Sequence, residues 1–204
     1  MSEDLKKYLH LFKGCECKNE LEAMLNFYSS IEDSFKPFCS EFNIHCESGC
    51  GKCCEHFVPD LTRGEATCIA YYLLFFLKDD KAEDILKKNI GNNKGPCPFY
   101  NPDSSFHCKI YPVRPLTCRL FGSAATRTKS GICFKCCRFI KDHALMPSYI
   151  SSKLLEKAKN HVPLMNEYGE ELINLEENSA TTEEMSKAVL AEISRLRLIL
   201  SLKH

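Results

Sequence analysis

Cysteine spacing constrains this chain more tightly than its length or hydropathy. Two blocks share one signature, Cys50-Gly51-Lys52-Cys53-Cys54 and Cys133-Phe134-Lys135-Cys136-Cys137, and Cys46 extends the first to C-x3-C-x2-C-C. Cys97, Cys108 and Cys118 stand between them. Soft sulfur donors at short spacing are what zinc and iron–sulfur sites take. A stretch organised by such a centre needs no continuous hydrophobic face, so the pattern predicts irregular backbone in the middle of the chain.

The competing use of many cysteines is a disulfide scaffold. The start, Met1-Ser2-Glu3-Asp4-Leu5-Lys6-Lys7, lacks the basic-then-apolar pattern of a secretory leader, so a cytoplasmic location is expected. Disulfides do not persist in a reducing compartment, where clustered cysteines are more often ligands or redox groups. The chain's 204 residues, 44% of them hydrophobic, bury a core without staples. The longest apolar run, Cys68 to Leu77, is far short of the ~20 residues that span a bilayer and reads as a buried helix.

A formal net charge of zero hides an asymmetry. From Lys94 to Lys141 there are nine basic residues against one acid, Asp103, a net +8 that the rest of the chain balances with −8. A Zn(Cys)4 or [4Fe–4S](Cys)4 centre carries about −2 and leaves most of this positive charge uncompensated. The charge predicts an electropositive face beside the centre for an anionic ligand, with Arg114 and Arg119 as bidentate donors. The plainer outcome is that acids from the helical segments fold over this face, or that the two arginines pin loops through backbone carbonyls.

Periodicity places the helices outside this region. Leu21, Met24, Leu25, Tyr28, Ile31 and Phe35 fall at helical spacing over 19–36, with Pro37 ending the pattern. From Phe38 to Pro59 glycine and cysteine replace it. Thr62-Arg63-Gly64-Glu65 fits a capping box that opens a helix running to about Lys78, and a second helix over about 80–90 ends at Gly91. Cys97 to Tyr100 and Phe106 to Tyr111 flank Asn101-Pro102-Asp103-Ser104, a turn that would join a small β-hairpin. Pro115 opens a short helix carrying Cys118 and Arg119. Helices follow over 148–161 and 164–176, and one from Thr182 has Met185, Val189, Ile193, Leu196 and Leu200 on an apolar face that packs onto the domain. The expected fold is mainly α with a small irregular or β-hairpin cysteine-rich core organised by metal, a small α+β protein. The expected organisation is one domain over 1–204, with its cysteine-rich core at about 39–142 and a helical C-terminal region at about 147–204.

On a helix, Cys46, Cys50, Cys53 and Cys54 would share one face, at i, i+4, i+7 and i+8. Gly49 and Gly51 argue instead for a loop whose N–H groups turn toward sulfur. Neighbouring Cβ atoms diverge in extended chain, so Cys53 and Cys54 are expected either to serve two metal positions or to divide into one ligand and one packing residue. Cys46-x3-Cys50-x2-Cys53 also has the spacing of a radical S-adenosylmethionine cluster, but Lys52 stands where those enzymes carry an aromatic residue, and the chain lacks their strand-rich barrel.

The ordered set Cys46-x3-Cys50-x2-Cys53-Cys54, Cys97-Pro98-Phe99 and Cys108-x-Ile110-Tyr111-x2-Arg114-Pro115-x2-Cys118-Arg119 resembles the YkgJ-type cysteine-cluster proteins, zinc- or iron-chelating domains with flagellin lysine N-methylases among their relatives. The likeness covers about 46–137, and Glu65 stands where that family carries an acidic residue. The motif points to a metal centre held mainly by Cys50, Cys53, Cys108 and Cys118, with Cys46, Cys54, Cys97 and Cys133 available for a second position or the same extended site. An iron–sulfur cluster or iron is the expected cofactor and zinc the alternative. Cys68 reads as a small buried hydrophobe and Cys15, Cys17 and Cys39 as surface or core thiols, although Cys15 and Cys17 could add a ligand; His45, His56, His107 and His143 could complete a mixed site but are dispensable beside so many thiolates.

Three functions compete. A metalloprotein with a cysteine-ligated centre comes first. A protein-lysine N-methyltransferase acting on a protein substrate is implied by the resemblance, yet the chain has no glycine-rich strand-to-helix loop to cradle S-adenosylmethionine. A module for anions or nucleic acid fits the basic segment, which lacks the regular aromatic interleaving of a stacking platform, so nucleic acid is disfavoured.

Overall fold

The computed structural model describes residues 2–44, 46, 50–92, 94–104, 106–134, 137, 139, 162–176 and 181–203. A short helix α1 (Ser2–Leu5) and a 3-10 turn (Leu9–Phe12) lead into α2 (Glu16–Glu41). After an irregular stretch come β1 (Asp60–Leu61), α3 (Arg63–Tyr72), a π-helical turn (Leu73–Leu77) and α4 (Ala82–Asn89). The cysteine-rich middle holds a 3-10 turn (Tyr111–Val113), α5 (Leu116–Leu120), β2 (Ala125–Thr128) and β3 (Gly131–Phe134). Then follow α6 (Met165–Leu175), β4 (Glu183–Glu184) and α7 (Met185–Ser201). The protein is mainly α, with two small antiparallel sheets, β1–β4 and β2–β3. Among the described residues no helix is long and apolar enough to cross a membrane.

The main core forms where α3 packs between α2 and α7. Leu21, Leu25, Ile31, Ile69, Leu86, Val189 and Leu196 are fully withdrawn from water, each contributing on the order of 1.5–3 kcal/mol of transfer free energy. Met185, Val189, Ile193 and Leu196 of the expected α7 face are buried. Cys68 is fully buried in the same core, as a small hydrophobe. Tyr71 anchors the N-terminal segment, its hydroxyl donating to the Leu5 carbonyl at 2.9 Å and accepting from Tyr8 N–H at 3.2 Å. A buried polar bridge joins the three helices. Glu192 of α7 accepts from Thr67 of α3 at 2.9 Å and from Arg195 at 2.6 Å, and Arg195 reaches Glu20 of α2 at 3.1 Å.

The capping box at Thr62 forms as its sequence indicates, with Thr62 N–H donating to Glu65 Oε2 at 3.0 Å and Glu65 N–H to the threonine hydroxyl at 3.4 Å. α4 stops one residue before the expected Ile90, with Gly91 at φ +82°. The expected hairpin over 97–111 reduces to one antiparallel bridge, Tyr100 with Cys108. The extended hairpin of the region lies further on, where Ala125 pairs Phe134 and Thr128 pairs Gly131.

Pro37 does not end α2. The helix continues one turn to Glu41 although proline lacks the N–H that would bond back to residue 33. The reason is tertiary. Phe38 is fully buried against Phe42 and Phe134, in a second cluster with Ile44, Ala125, Val162 and Leu164. That burial outweighs one lost hydrogen bond. The helix expected over 148–161 lies outside the described residues.

Candidate metal centre

Three local devices bring the cysteines together. In the first block the chain turns at residues 52–56, with Cys54 N–H donating to the Gly51 carbonyl at 2.9 Å. Gly51 sits at φ +50°, and a Cβ there would collide with the His107 side chain, so only glycine allows both the left-handed turn and the approach of His107. Cys97 N–H donates to the Cys54 carbonyl at 2.8 Å, fastening the second segment to the first. α5 carries Cys118 and starts after Pro115, as the sequence predicts. At its end Gly122 takes φ +73°, with Cys137 so close that a Cβ on the glycine would lie 2.6 Å from the cysteine Cβ.

The result is a cavity of about 630 Å3 lined by nine cysteines: Cys39, Cys46, Cys50, Cys53, Cys54, Cys97, Cys108, Cys118 and Cys137. Its described lining contains no carboxylate and no histidine; the charged side chains at its wall are Lys36, Arg114 and Arg119. A donor set made of sulfur suits zinc, iron or an iron–sulfur cluster and disfavours magnesium and calcium.

Seven of the eight cysteines expected as ligands line this cavity. Cys133 does not, because it sits on β3 opposite Thr126. Two more line it: Cys39, expected as a surface or core thiol, and Cys137, whose role the spacing left open. Cys39 arrives because α2 continues past Pro37, and Phe35, Lys36, Cys39 and Ser40 then present one helical face to the cavity. Cys137 arrives through the turn at Gly122. His56 is exposed beside Glu55, and His107, in the left-handed region at φ +51°, keeps Nδ1 buried without a partner away from the lining. His45 and His143 lie outside the described residues.

Cys53 and Cys54 have Sγ atoms 3.9 Å apart. In a turn, unlike an extended chain, adjacent side chains can approach. The separation is near the ~3.8 Å edge of a tetrahedron with zinc–sulfur bonds of about 2.3 Å. Among the described residues no three histidine, cysteine or acidic side chains converge tightly enough for a single ion, so the thiols surround a volume rather than a point.

Electrostatics divide the thiols. The Cys54 thiol, with the backbone N–H groups of Cys53 and Cys54, holds Cys53 down to about 6, leaving the proton on Cys54, which this hydrogen bond and burial raise far above the usual thiol range. Burial pushes Cys46 up to about 11 and Cys97 up to about 12, and raises Cys108 and Cys118 as well. The positive charge of Arg114 opposes burial at Cys46, Cys53, Cys108 and Cys118. A cation entering the cavity displaces protons from the raised thiols, so its binding strengthens with rising pH.

The two arginines play different parts. Arg119 is 3% exposed, donates to Glu32 of α2 at 2.5 Å and to the Pro112 carbonyl at 2.5 Å, and lies over the Tyr28 ring at 4.0 Å. Its guanidinium ties α5 to α2. Arg114 stacks on Tyr111 at 3.9 Å, with Phe106 on that ring at 4.0 Å, and its Nε is buried without a hydrogen-bond partner. Three of the nine basic residues of the basic segment are met by acids from elsewhere: Lys109 by Asp79, Arg119 by Glu32 and Arg127 by Glu167.

No curated protein and no solved structure matches the chain. Residues 45–138 match the model of the CxxCxxCC family, whose description reads "Putative zinc- or iron-chelating domain". That span takes in eight of the nine cavity cysteines, all but Cys39. Over these residues the chain is therefore similar to the CxxCxxCC family of cysteine-cluster domains, consistent with the YkgJ type.

Proposed function

We propose that the protein is a metal-binding protein whose 630 Å3 cavity holds a cysteine-ligated polynuclear centre, an iron–sulfur cluster in the first instance. The observation that carries this reading is the cavity lining, in which nine thiols and no carboxylate stand among the described residues around a space of about 630 Å3. A lone tetrahedral zinc needs four sulfurs about 2.3 Å from one centre, whereas a cluster spreads its thiolates around a larger body. Cys53 and Cys54 lead the ligand set, with Cys50, Cys97, Cys108 and Cys118 around them and Cys46 at the rim. Thiolate charge on such a centre is offset by Arg114.

Protein purified without oxygen tests this through its elemental content and visible spectrum. Iron with acid-labile sulfide and visible absorption is the expected result. A colourless, zinc-replete protein would replace the cluster with zinc. A folded, metal-free protein with all thiols reactive would remove the centre altogether.

The same geometry supports an anionic ligand at Arg114. This guanidinium lines the cavity, has a buried Nε without a partner, as Arg119 does, and stacks on the Tyr111 ring that Phe106 covers. Arg119, also at the wall, is engaged by Glu32 and the Pro112 carbonyl.

A further inference from the structure

A second pair of cysteines stands away from this cavity. Cys15 is the residue before the first turn of α2, with extended backbone (φ −111°, ψ 141°), and Cys17 is in that first turn. Cys17 is fully buried, while Cys15 is half-buried and within reach of small solutes. Their sulfurs lie 2.9 Å apart, with the Cys17 thiol donating to Cys15.

That distance separates the pair from the ligands. Two thiolates on one tetrahedral zinc stand ~3.8 Å apart, as Cys53 and Cys54 nearly do at 3.9 Å. At 2.9 Å there is no room for a metal ion to bridge sulfurs on opposite sides, and the remaining step to a bond is a sulfur–sulfur approach of less than 1 Å, toward ~2.05 Å. The change from extended to helical backbone at this position brings the two side chains to the same side.

We infer that Cys15 and Cys17 form a reversible redox dithiol, oxidised to an intramolecular disulfide by low-molecular-weight disulfides such as glutathione disulfide. Cys15, the accessible member, attacks one sulfur of the oxidant as the thiolate; the oxidant's S–S bond breaks and one thiol leaves, taking up a proton. Cys17 then loses its proton and attacks the Cys15 sulfur of the mixed disulfide, expelling the second thiol. The protein gives up two electrons and two protons, and the oxidant is reduced to two thiols. Burial and the neighbouring Cys15 push the resting Cys17 thiol up to about 12. The part due to Cys15 vanishes once that sulfur is in a mixed disulfide, and the N-terminus of the 26-residue α2 then favours the Cys17 thiolate. A disulfide closing so short a loop removes little chain entropy, so it acts as a redox group and not as a staple.

The test uses the intact, metal-loaded protein in glutathione buffers of increasing oxidised fraction, with rapid alkylation, trypsin digestion and mass analysis. Trypsin releases both sulfurs on one peptide, Gly14-Cys15-Glu16-Cys17-Lys18, which carries no other cysteine, so its readout is independent of the metal cavity. The expected result is conversion of this peptide to a form two hydrogens lighter and closed to alkylation. Two alkylated cysteines throughout the series, a persistent glutathione adduct on Cys15, or a disulfide-linked dimer through this peptide would each overturn the inference. Cys17→Ser is expected to trap the glutathione adduct on Cys15. Cys15→Ser, which leaves the buried side chain untouched, is expected to leave Cys17 unmodified in the native protein; rapid modification of Cys17 in that variant would also overturn it.

Discussion

Glu65 Oε1 accepts the backbone N–H of Leu116 at 2.7 Å, while the same carboxylate closes the capping box at Thr62. One buried side chain thus satisfies orphan N–H groups at the start of α3, which belongs to the helical core, and at the start of α5, which carries Cys118. This gives a structural reason for an acidic residue at this position: it fixes the cysteine segment to the scaffold.

Glu65→Gln is expected to cost on the order of 1–3 kcal/mol, since one of the two N–H groups then faces an amide donor, and Glu65→Ala is expected to cost more. Denaturant midpoints measure both. Burial raises the Glu65 carboxyl above its ordinary range. A folded-state value above the unfolded one means that the native protein takes up the proton first, so this group adds stability as pH falls and loses it as pH rises through the folded value. The stability gap between wild type and Glu65→Gln should therefore widen on acidification from neutral pH and level off below ~4.3. A gap that narrows on acidification contradicts this.

Gly51→Ala places a Cβ against His107 at a left-handed position. A loss of about 1–3 kcal/mol is expected, together with weaker metal retention, because the turn that presents Cys53 and Cys54 must shift. Thermal unfolding and metal content after dialysis against a chelator report the two effects. Gly131→Ala, also at positive φ but with open space around it, should lower stability and leave metal content unchanged.

Arg114→Gln and Arg119→Gln should separate. Removing Arg119 leaves Glu32 and the Pro112 carbonyl without their donor, at a cost of about 3–5 kcal/mol. Removing Arg114 is expected to leave folding close to wild type and to abolish salt-sensitive binding of small anions, measured by calorimetry on the metal-loaded protein. Equal destabilisation by both would make Arg114 a structural residue and end the anion-site reading.

The segment from Asn92 to Phe134 holds the 3-10 turn Tyr111–Val113, five-residue α5 and one small hairpin as its regular structure among the described residues. Metal binding is expected to order it. Chelation, or Cys118→Ser, should open this segment to limited proteolysis before α2, α3 and α7 are cut. An unchanged cleavage pattern after complete metal removal would show that buried Ile110, Val113, Leu116 and Leu120 suffice.

The sequence alone was enough for whatever depends on neighbours along the chain. The capping box at Thr62, the short helix after Pro115, the apolar face of α7, the loop at Gly51, the left-handed cap at Gly91 and the gathering of cysteines in one region all follow from spacing and local backbone preference. Tertiary structure decided what depends on distant partners. Phe38 meets Phe134 across nearly a hundred residues, which carries α2 through Pro37 and delivers Cys39 to the cavity. Glu32 takes up Arg119 and leaves Arg114 facing the thiols. Pairing of β3 with β2 turns Cys133 away while Gly122 admits Cys137. Local pattern reports which groups can bind a metal; which of them surround one volume is set by burial and ion pairing between segments whose contact no spacing rule encodes.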